Sequence, residues 1–409
     1  MRIIGLDVHR TFAEVVFLKD GVLQNGGRVE LTAERLAAFG RGLSQTDEVV
    51  LEATGNTAAI VRALKPHVAQ VIIANPLQVR AIAHARVKTD KIDAGILAQL
   101  HASGFLPTVW MPDADTEALR RQVARPAQLV RHRTRLKNEI HSVLHAHLIP
   151  RCPFADLFGK QGRAWLAEQK LPSDERCAIE QRLREVDPHG EDLAVIDRAL
   201  AQATLNDARV RRLLTISGVN VTVAISLIAA VGDIGRFRSA QKLVSYFGLN
   251  PSVRQSGLAP ARHGHITKIG RAHARGMLVE AAWSAAHTPG PLRAFFLRIR
   301  ARRGMQIAAV AAARKLAIIA WHVLSKDEDY DWVRPALTQR KIRALEHQSG
   351  FKSEKGGRRG RAYDYNLPIV RAQEVASAER AERAYERFVA NWKTNGPTNN
   401  SRRAMSRLE

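Results

Sequence analysis

Short apolar runs separated by turns dominate the first hundred residues. The runs at 2–9 and 13–21 are rich in β-branched residues, the second closes on Asp-Gly, and a third run follows at 22–31, which predicts a three-stranded antiparallel meander. The elements predicted after it are a helix over 32–43, a strand over 48–55, a helix over 56–66, a strand over 70–76 and a helix-rich stretch over 77–103. A meander followed by alternating strand and helix predicts a mixed sheet covered by helices.

Long, charged helical sequence begins at about 113. Helical patterns occupy 115–148, 174–187 and 191–204. An interrupted apolar stripe runs along the first of them, through Leu119, Leu129, Leu136, Ile140 and Leu144. This region is either a helical hairpin or coiled-coil arm that oligomerises and contacts phosphates, or a solvated connector between two domains. Pro126 predicts that the first helix is kinked or divided.

A second compact unit is predicted from about 210 to 334. In it a helix, the turn Ser217-Gly218-Val219-Asn220 and a further helix are typical of a helix-hairpin-helix, although any short turn between helices can use glycine. The apolar stretch 306–321 contains Arg314 and Lys315, so we interpret it as a buried helix and not as a membrane span.

The C-terminal extension has a different composition. Residues 350–363 and 393–409 are basic, rich in polar residues and without apolar periodicity, and we expect both to be flexible. An amphipathic helix is predicted between them, near 371–392. They are either arms that bind nucleic acid or inert solubilising tails.

The patterns together predict an α/β domain followed by all-α sequence. The order of elements at the N-terminus is that of an RNase H-like mixed sheet with flanking helices. The predicted domains are 1–112, a helical or coiled-coil connector at 113–209, a helical domain with the helix-hairpin-helix at 210–334, and a partly disordered basic extension at 335–409.

The charge of the chain indicates an anionic partner. Its 409 residues include 63 Lys and Arg against 39 Asp and Glu, a net charge of +24, which favours nucleic acid over the alternative of a membrane or ribosome surface. Cys152 and Cys177 have neither the spacing of a zinc site nor the density of a disulfide scaffold. The N-terminus has the pattern of neither a signal peptide nor a membrane span, so we expect a cytoplasmic protein.

Four carboxylates form the first candidate site. Asp7 and Glu52 interrupt two separate apolar strands, a costly position for a charge unless it faces a site. Asp90 and Asp93 are three residues apart, so they share a face if the segment is helical. Together these acids predict a site for divalent cations, in which Mg²⁺ would orient a scissile phosphate. Taken singly, each acid is better explained without a metal: Asp7 as a strand end, Glu52 as a half-exposed strand residue, and Asp90 with Asp93 as partners of neighbouring lysines.

A serine forms the second candidate site. Ser256 lies in 246–278, a segment dense in glycine, serine and basic residues between two apolar helical patterns. The basic residues around it are Arg254, Arg262, His263, His265, Lys268 and Arg271. Cations of this kind stabilise a phosphate and its transition-state charge, so Ser256 is a candidate nucleophile. The alternative is a phosphate-anchoring loop in which Ser256 is an ordinary turn residue.

These motifs resemble a known family over residues 1 to about 330. The resemblance is to the insertion-sequence transposases with a DEDD-type RuvC-like domain, a family that includes the Piv and MooV DNA invertases and the bridge-RNA-guided recombinases. The motifs that carry it are GLDVH at 5–9, LEATG at 51–55 with IANP at 73–76, KTDKIDA at 88–94, the segment 216–237, SYFGLNPSVRQSG at 245–257 and GHITKIGR at 264–271.

The resemblance implies roles for the candidate residues. Asp7, Glu52, Asp90 and Asp93 would be the DEDD metal ligands, with Mg²⁺ as the ion, and Ser256 the nucleophile. It also implies a homo-oligomer, dimer or tetramer, with composite sites, and a structured RNA that pairs with donor and target DNA.

The sequence departs from the family in two motifs. In the hairpin, Ser217 and Asn220 stand where the family usually has proline and glycine, and further on Arg271 stands where asparagine commonly follows Gly270. Nothing carries over to residues beyond about 335.

Three functions remain open from the sequence. The leading hypothesis is a DNA transposase or site-specific recombinase in which Ser256 attacks DNA at a magnesium site, with Arg254, Arg262, Lys268 and Arg271 binding nucleic acid. The first alternative is a metal-dependent nuclease resembling a junction resolvase, with water as nucleophile. The second is a non-catalytic nucleic-acid-binding protein.

Overall fold

The computed structural model divides the chain into two compact units, residues 1–113 and 114–409. It describes residues 1–82, 89–257, 260–351 and 367–395, with side chains as far as 391. The predicted flexible segments at 350–363 and 393–409 lie almost entirely outside the described residues. The finer domain boundaries at 210 and 335 stay predictions.

The first unit is a five-stranded mixed sheet with helices. Its strands are β1 (Ile3–Val8), β2 (Phe12–Lys19), β3 (Val22–Glu30), β4 (Glu48–Glu52) and β5 (Gln70–Ala74), in the order β3-β2-β1-β4-β5. Its helices are α1 (Ala33–Arg41), α2 (Thr57–Leu64), α3 (Pro76–Ile82) and α4 (Asp90–Ala102), with a 3-10 turn at Lys65–His67. β1, β2 and β3 pair antiparallel, whereas β1, β4 and β5 are parallel. This confirms the predicted meander and mixed sheet with flanking helices, and it is consistent with an RNase H-like fold.

The two faces of this sheet carry separate apolar cores. Ile4 and Leu6 of β1 point to one face, where they pack with α1 and α2 residues such as Leu36. Ile3 of β1 and Val50 of β4 point to the other face, which α4 covers. Because side chains alternate along a strand, the residues two positions after Gly5 and Val50, Asp7 and Glu52, belong to the α4 face.

Helix α4 is fixed on the sheet at two points. A Cβ atom on Gly5 would lie 1.9 Å from the carbonyl oxygen of Ala94, so the helix backbone contacts the strand where a side chain is missing. Near its C-terminus, the His101 Nε2 atom forms a 2.6 Å hydrogen bond with Glu48 Oε2 at the start of β4. The N-terminus of α4 therefore lies at the carboxyl ends of β1 and β4.

The second unit is helical except for one two-stranded ribbon. Its helices are α5 (Ala114–Ala146), α6 (Lys160–Glu168), α7 (Ser173–Thr204), α8 (Ala208–Leu214), α9 (Val221–Val231), α10 (Ala240–Tyr246), α11 (Ala272–Ala286), α12 (Pro291–Arg303), α13 (Met305–Lys326), α14 (Pro335–Ser349) and α15 (Pro368–Asn395). The ribbon consists of β6 (Pro251–Arg254) and β7 (Arg262–Ile266), which pair antiparallel. The sequence did not predict this ribbon.

Two long helices, α5 and α7, pack against each other. Helix α5 runs through Pro126 without dividing, so of the two predicted outcomes the division is wrong and the kink stays a prediction. Helix α7 likewise runs through Pro188 and joins two segments that the sequence separated. In both cases the tertiary packing along the pair outweighs the lost backbone hydrogen bond of a single proline.

Helix α15 packs on the rest of the second unit through a buried acid. Glu382, 6% exposed, accepts hydrogen bonds from the backbone N–H of Gly290 at 3.1 Å and from Arg293 Nε at 2.9 Å. It therefore satisfies an amide at the start of α12 and neutralises its first-turn arginine. Helix α14, which the sequence did not predict, packs against α7.

Helix α13 is long and apolar enough to cross a membrane by length and composition. Its alanine and leucine side chains, among them Ala313 and Leu316, lie in the core of the second unit, where the helix packs on α10, α11 and α12. This packing agrees with the prediction of a buried helix.

Candidate functional site

A row of charged residues crosses the α4 face of the sheet. Asp7 of β1 is the register partner of Glu14 on β2, and Glu14 is the partner of Arg28 on β3. On the other side, Leu6 pairs with Leu51, so Asp7 and Glu52 follow that pair at the carboxyl ends of two parallel strands. Ligand sites of sheets with parallel strands commonly lie at these ends.

The first turn of α4 adds two further acids. Asp90 and Asp93 both lie there, after an N-cap formed by the Thr89 side chain, which accepts a hydrogen bond from the Ile92 N–H at 3.4 Å. The helical spacing predicted for the two acids is thereby confirmed. A helix N-terminus carries partial positive charge, which stabilises carboxylates in this turn.

His9 joins the acids of the two elements. Its Nε2 atom lies 3.4 Å from Asp7 Oδ2 and 3.2 Å from Asp90 Oδ2. The ligand atoms of these three residues all lie within 4.8 Å of one another. The loop between β1 and β2 holds the ring in place, because the His9 N–H donates to the Phe12 carbonyl oxygen and the two rings lie 4.7 Å apart.

This donor set fits a divalent cation. Two carboxylates and one imidazole nitrogen lie within 4.8 Å of one another, and the contacts of the His9 Nε2 atom with both acids lack the geometry of hydrogen bonds. Mn²⁺, Mg²⁺ and Zn²⁺ accept such oxygen donors, and imidazole favours the transition metals among them. Glu52 lies in the same row of the sheet and Asp93 in the same helical turn, but neither belongs to the three residues whose ligand atoms lie within 4.8 Å of one another.

Glu14 is a fifth acid that the sequence reasoning missed. It is 2% exposed and accepts a 2.8 Å hydrogen bond from Arg28 Nε, while the Arg28 guanidinium lies 4.5 Å from the Phe12 ring centre. Because like charges directly opposite on paired strands repel, Arg28 compensates the charge that Glu14 places beside Asp7. Counting register back from the turn between β1 and β2 would have revealed this pairing.

Ser256 lies in the exposed turn that follows β6, in the second unit. Arg254 and Arg262 are register partners on the ribbon below it, and both are exposed. Two arginines directly opposite each other repel unless an anion lies between or above them. The ribbon therefore presents a hydroxyl beside paired positive charges.

The other predicted basic residues lie at the root of the ribbon. The Lys268 N–H donates to the Gly248 carbonyl at 3.1 Å, and the Arg271 N–H donates to that of Tyr246 at 3.2 Å. The Arg271 side chain turns to Tyr246 as well, with 2.8 Å between its Nε and the phenol oxygen. The structure thus brings Arg254 and Arg262 together near Ser256, and it holds Lys268 and Arg271 at the opposite end of the ribbon.

Two transposase families match this chain. Residues 4–149 match the model of a transposase family with a DEDD-type domain. Residues 210–297 match the transposase IS116/IS110/IS902 family. The first match contains all four predicted acids, and the second contains the ribbon with Ser256.

Several relatives carry names of the same kind. A putative transposase of Sinorhizobium fredii is 31% identical over 216 residues, which cover 50% of this chain and 50% of the relative. A transposase for the insertion sequence element IS1111A of Coxiella burnetii is 28% identical over 59% of this chain and 68% of its own. A pilin gene-inverting protein of Moraxella bovis is 26% identical over 80% of this chain and 97% of its own.

The chain is thus similar to transposases over both matched segments, and to a pilin gene-inverting protein over most of its length. The chain spans about half the length of the Sinorhizobium relative.

Proposed function

We propose that this protein is a magnesium-dependent DNA transposase in which Ser256 is the nucleophile. The observation that carries the proposal is the convergence of Asp7, His9 and Asp90, from a strand end, a loop and a helix N-terminus, on one point. Such convergence of like-charged carboxylates is costly unless a cation or substrate requires it. Glu52 and Asp93 complete the set of ligands.

The residues divide the chemistry between the two units. A divalent ion held by Asp7, Glu52, Asp90 and Asp93, with His9, would supply positive charge to the scissile phosphate. The Ser256 oxygen would form a bond to phosphorus while the bond to the leaving sugar oxygen breaks, and Arg254 with Arg262 would stabilise the added negative charge. The phosphoserine linkage would conserve the energy for religation.

We further propose that the protein works as a homo-oligomer, dimer or tetramer, in the cytoplasm. The hydroxyl and the acids lie in different units, so two copies of the chain can supply one composite site. A structured RNA from the element would pair with donor and target DNA, while the protein binds its backbone and shape. The net charge of +24 supports a nucleic-acid partner.

The test of the serine is recombination between donor and target plasmids with the RNA that co-purifies. Ser256→Ala is expected to lower product formation by more than about 10³-fold, because no other group replaces the nucleophile. Ser252→Ala, on the same ribbon, is the matched control and should retain activity. Undiminished recombination by Ser256→Ala would remove the serine mechanism.

One alternative is favoured by a specific observation. The cluster of Asp7, His9 and Asp90 lies wholly within the first unit, so it can activate water without Ser256. A nuclease resembling a junction resolvase would then release free DNA ends. Denaturing gels of stalled reactions decide between the two, because only the serine mechanism leaves protein covalently bound to DNA.

The nitrogen ligand has its own test. Mn²⁺ bound to the full-length protein should show ¹⁴N coupling from imidazole in pulsed electron paramagnetic resonance, and His9→Ala should remove that coupling while Mn²⁺ still binds. Mn²⁺ binding without any ¹⁴N coupling would exclude His9 and leave the carboxylate site intact. No Mn²⁺ binding at all would contradict the metal centre itself.

A further inference from the structure

Arginine side chains form hydrogen bonds with the last backbone carbonyls of α9. Arg120 of α5 donates from Nε to the Ala229 carbonyl at 2.8 Å and from Nη2 to the Ala230 carbonyl at 2.9 Å. Arg236 Nε donates to the Val231 carbonyl at 3.0 Å. The carbonyls at a helix C-terminus carry partial negative charge, so they hold both guanidiniums in fixed positions.

Tyr246 brings a third guanidinium to the same place. Its phenol oxygen accepts from Arg271 Nε at 2.8 Å and from Arg120 Nη2 at 3.3 Å, and Arg236 lies 4.4 Å from its ring centre. Burial raises the pKa of the Tyr246 phenol, but the three guanidiniums outweigh burial and lower it. Burial and the neighbouring positive charges lower the pKa of the Arg120 guanidinium as well.

A cavity of about 280 Å³ opens beside these cations. Arg120 and Arg271 line it, together with the first turn of α11 from Ala272 to Ala274. Helix α11 has 15 residues, so its N-terminus adds partial positive charge on the same side. Positive charge thus reaches the cavity from side chains of two elements and from one helix end.

Hydrogen bonding to the C-terminal carbonyls of α9 explains the positions of two of the three arginines. Arg120 and Arg236 bind the α9 carbonyls, whereas the polar partner of the exposed Arg271 side chain is the Tyr246 phenol. Gathering a third like charge beside two others is unfavourable in the protein alone. An anion in the cavity would compensate it, and the bidentate geometry of guanidinium suits a phosphate oxygen pair.

We propose that this cavity, the Arg120–Arg271 cavity, binds one phosphodiester group of a nucleic-acid strand. The ribbon that carries Ser256 begins at the same place, because the Arg271 N–H donates to the Tyr246 carbonyl and the Thr267 N–H to that of Asn250 at 2.9 Å. A phosphate held here fixes the strand at the root of the ribbon. The cavity binds the strand at a distance from the reacting phosphate, so it positions the substrate and takes no part in the bond changes.

The experiment measures binding of the full-length protein to labelled oligonucleotides as a function of salt. Three probes of one sequence are used: duplex DNA, single-stranded DNA and RNA. Arg271→Gln is expected to lower the slope of log K against log salt by about 0.9 on a duplex, or about 0.7 on a single strand, which is the loss of one phosphate contact. Arg302→Gln, an exposed arginine at the end of α12, is the charge-matched control and should leave the slope unchanged.

A second variant tests the cavity apart from its charge. Ala124 lines the cavity on an exposed turn of α5, and Ala124→Leu should fill it while retaining every arginine. We expect weaker binding on the same probe that responds to Arg271→Gln. Arg271→Lys should restore part of the affinity, because the charge returns without the two-pronged donor.

The outcomes distinguish an RNA site from a DNA site and both from the absence of a phosphate site. A reduced slope on RNA alone assigns the cavity to RNA, and a reduced slope on DNA alone assigns it to DNA. An unchanged slope in Arg271→Gln, or full affinity in Ala124→Leu, with thermal unfolding like that of the unsubstituted protein, overturns the proposal. The proposal rests on the proposed nucleic-acid substrate but not on catalysis, so an inactive protein that shows the slope change contradicts only the transposase mechanism.

Discussion

The acidic cluster of the first unit and the ribbon of the second hold their candidate groups by opposite means. Asp7 and Asp90 belong to a central strand and a helix that contact each other through Gly5 and Ala94. Ser256 lies in the exposed turn of a two-stranded ribbon, an element of marginal stability on its own. The acids are therefore positioned by the fold, whereas we expect the serine to be positioned by its substrate or by a second copy of the chain.

The largest effects are expected from two substitutions, one in each region, that lower activity alike but differ in their effect on Mn²⁺ binding. Asp7→Asn should lower DNA cleavage by on the order of 10³-fold or more and also weaken Mn²⁺ binding, because it removes a ligand charge. Ser256→Ala should lower strand transfer as much while Mn²⁺ binding stays intact. Plasmid recombination and Mn²⁺ titration measure the two effects.

Asp20→Asn controls for loss of an acid. Asp20 is an exposed turn residue of the same unit with a left-handed backbone that asparagine tolerates. It should change neither measurement. Loss of Mn²⁺ binding in Ser256→Ala would contradict the claim that metal binding depends on the first unit alone.

The contact between β1 and α4 gives the next largest effect. Gly5→Ala should cost about 1–3 kcal/mol of unfolding free energy, because its Cβ cannot fit against the Ala94 carbonyl. It should also weaken Mn²⁺ binding, since α4 carries Asp90, although no ligand is changed.

Gly276→Ala is the matched control for Gly5→Ala. Its Cβ would meet nothing within 4 Å on α11, so the variant should be stabilised by up to about 1 kcal/mol. Chemical denaturation measures both. Unchanged Mn²⁺ affinity in a destabilised Gly5→Ala would show that the fold does not position the acids.

Lys341 of α14 gives the next effect, in the second unit. Its Nζ donates to the carbonyls of Leu214 and Ile216, each at 2.8 Å. Burial, with the charges of Arg340 and Arg334, lowers its pKa from 10.5 to about 7. Between pH 7 and 10.5 the unfolded chain thus binds one proton more than the folded chain, so stability should rise with pH, by up to about 1.4 kcal/mol per unit.

Lys341→Met should remove that rise. It also leaves two carbonyls without a donor, so the variant should be less stable throughout. Urea denaturation at pH 7, 8 and 9 measures the slope for both proteins. A slope that survives in Lys341→Met would assign the titration to another group.

The smallest effect concerns the charge compensation beside Asp7. Arg28→Gln should cost about 1 kcal/mol, because buried Glu14 loses its partner while Arg28 itself is largely exposed. The double variant Arg28→Gln with Glu14→Gln should recover most of this. A double-mutant cycle by denaturation tests it, and a double variant as unstable as the single one would mean that Glu14 is held by its packing and not by the charge.

The sequence predicts the first unit well because each of its elements is marked locally. The apolar runs of the strands, the helix that begins after Thr32 and the three-residue spacing of Asp90 and Asp93 all appear in the structure. The proximity of Asp7 to Asp90 was predicted from the order of elements, whereas His9 and Glu14 were not. The position of Glu14 follows from the register of the β1–β2 hairpin, which can be counted from the turn, whereas that of His9 depends on a loop conformation that one sequence does not encode in a local pattern.

The second unit shows where local patterns fail. Pro126 and the gap between the helical patterns at 174–187 and 191–204 indicate interruptions, yet α5 and α7 continue through Pro126 and Pro188 because each packs along the other. The ribbon at 251–266 has few apolar positions, since both its strands are almost wholly exposed. Alternation therefore gives no signal for it, and glycine and arginine there indicate only a loop.

The docking of α15 by Glu382 has a consequence for shortened gene copies. A product that stops before this residue loses the acceptor of the Gly290 amide and the partner of Arg293, although both family-matched segments stay complete. Frameshifted or prematurely terminated copies should therefore be cleared by cellular proteases faster than their intact matched segments suggest.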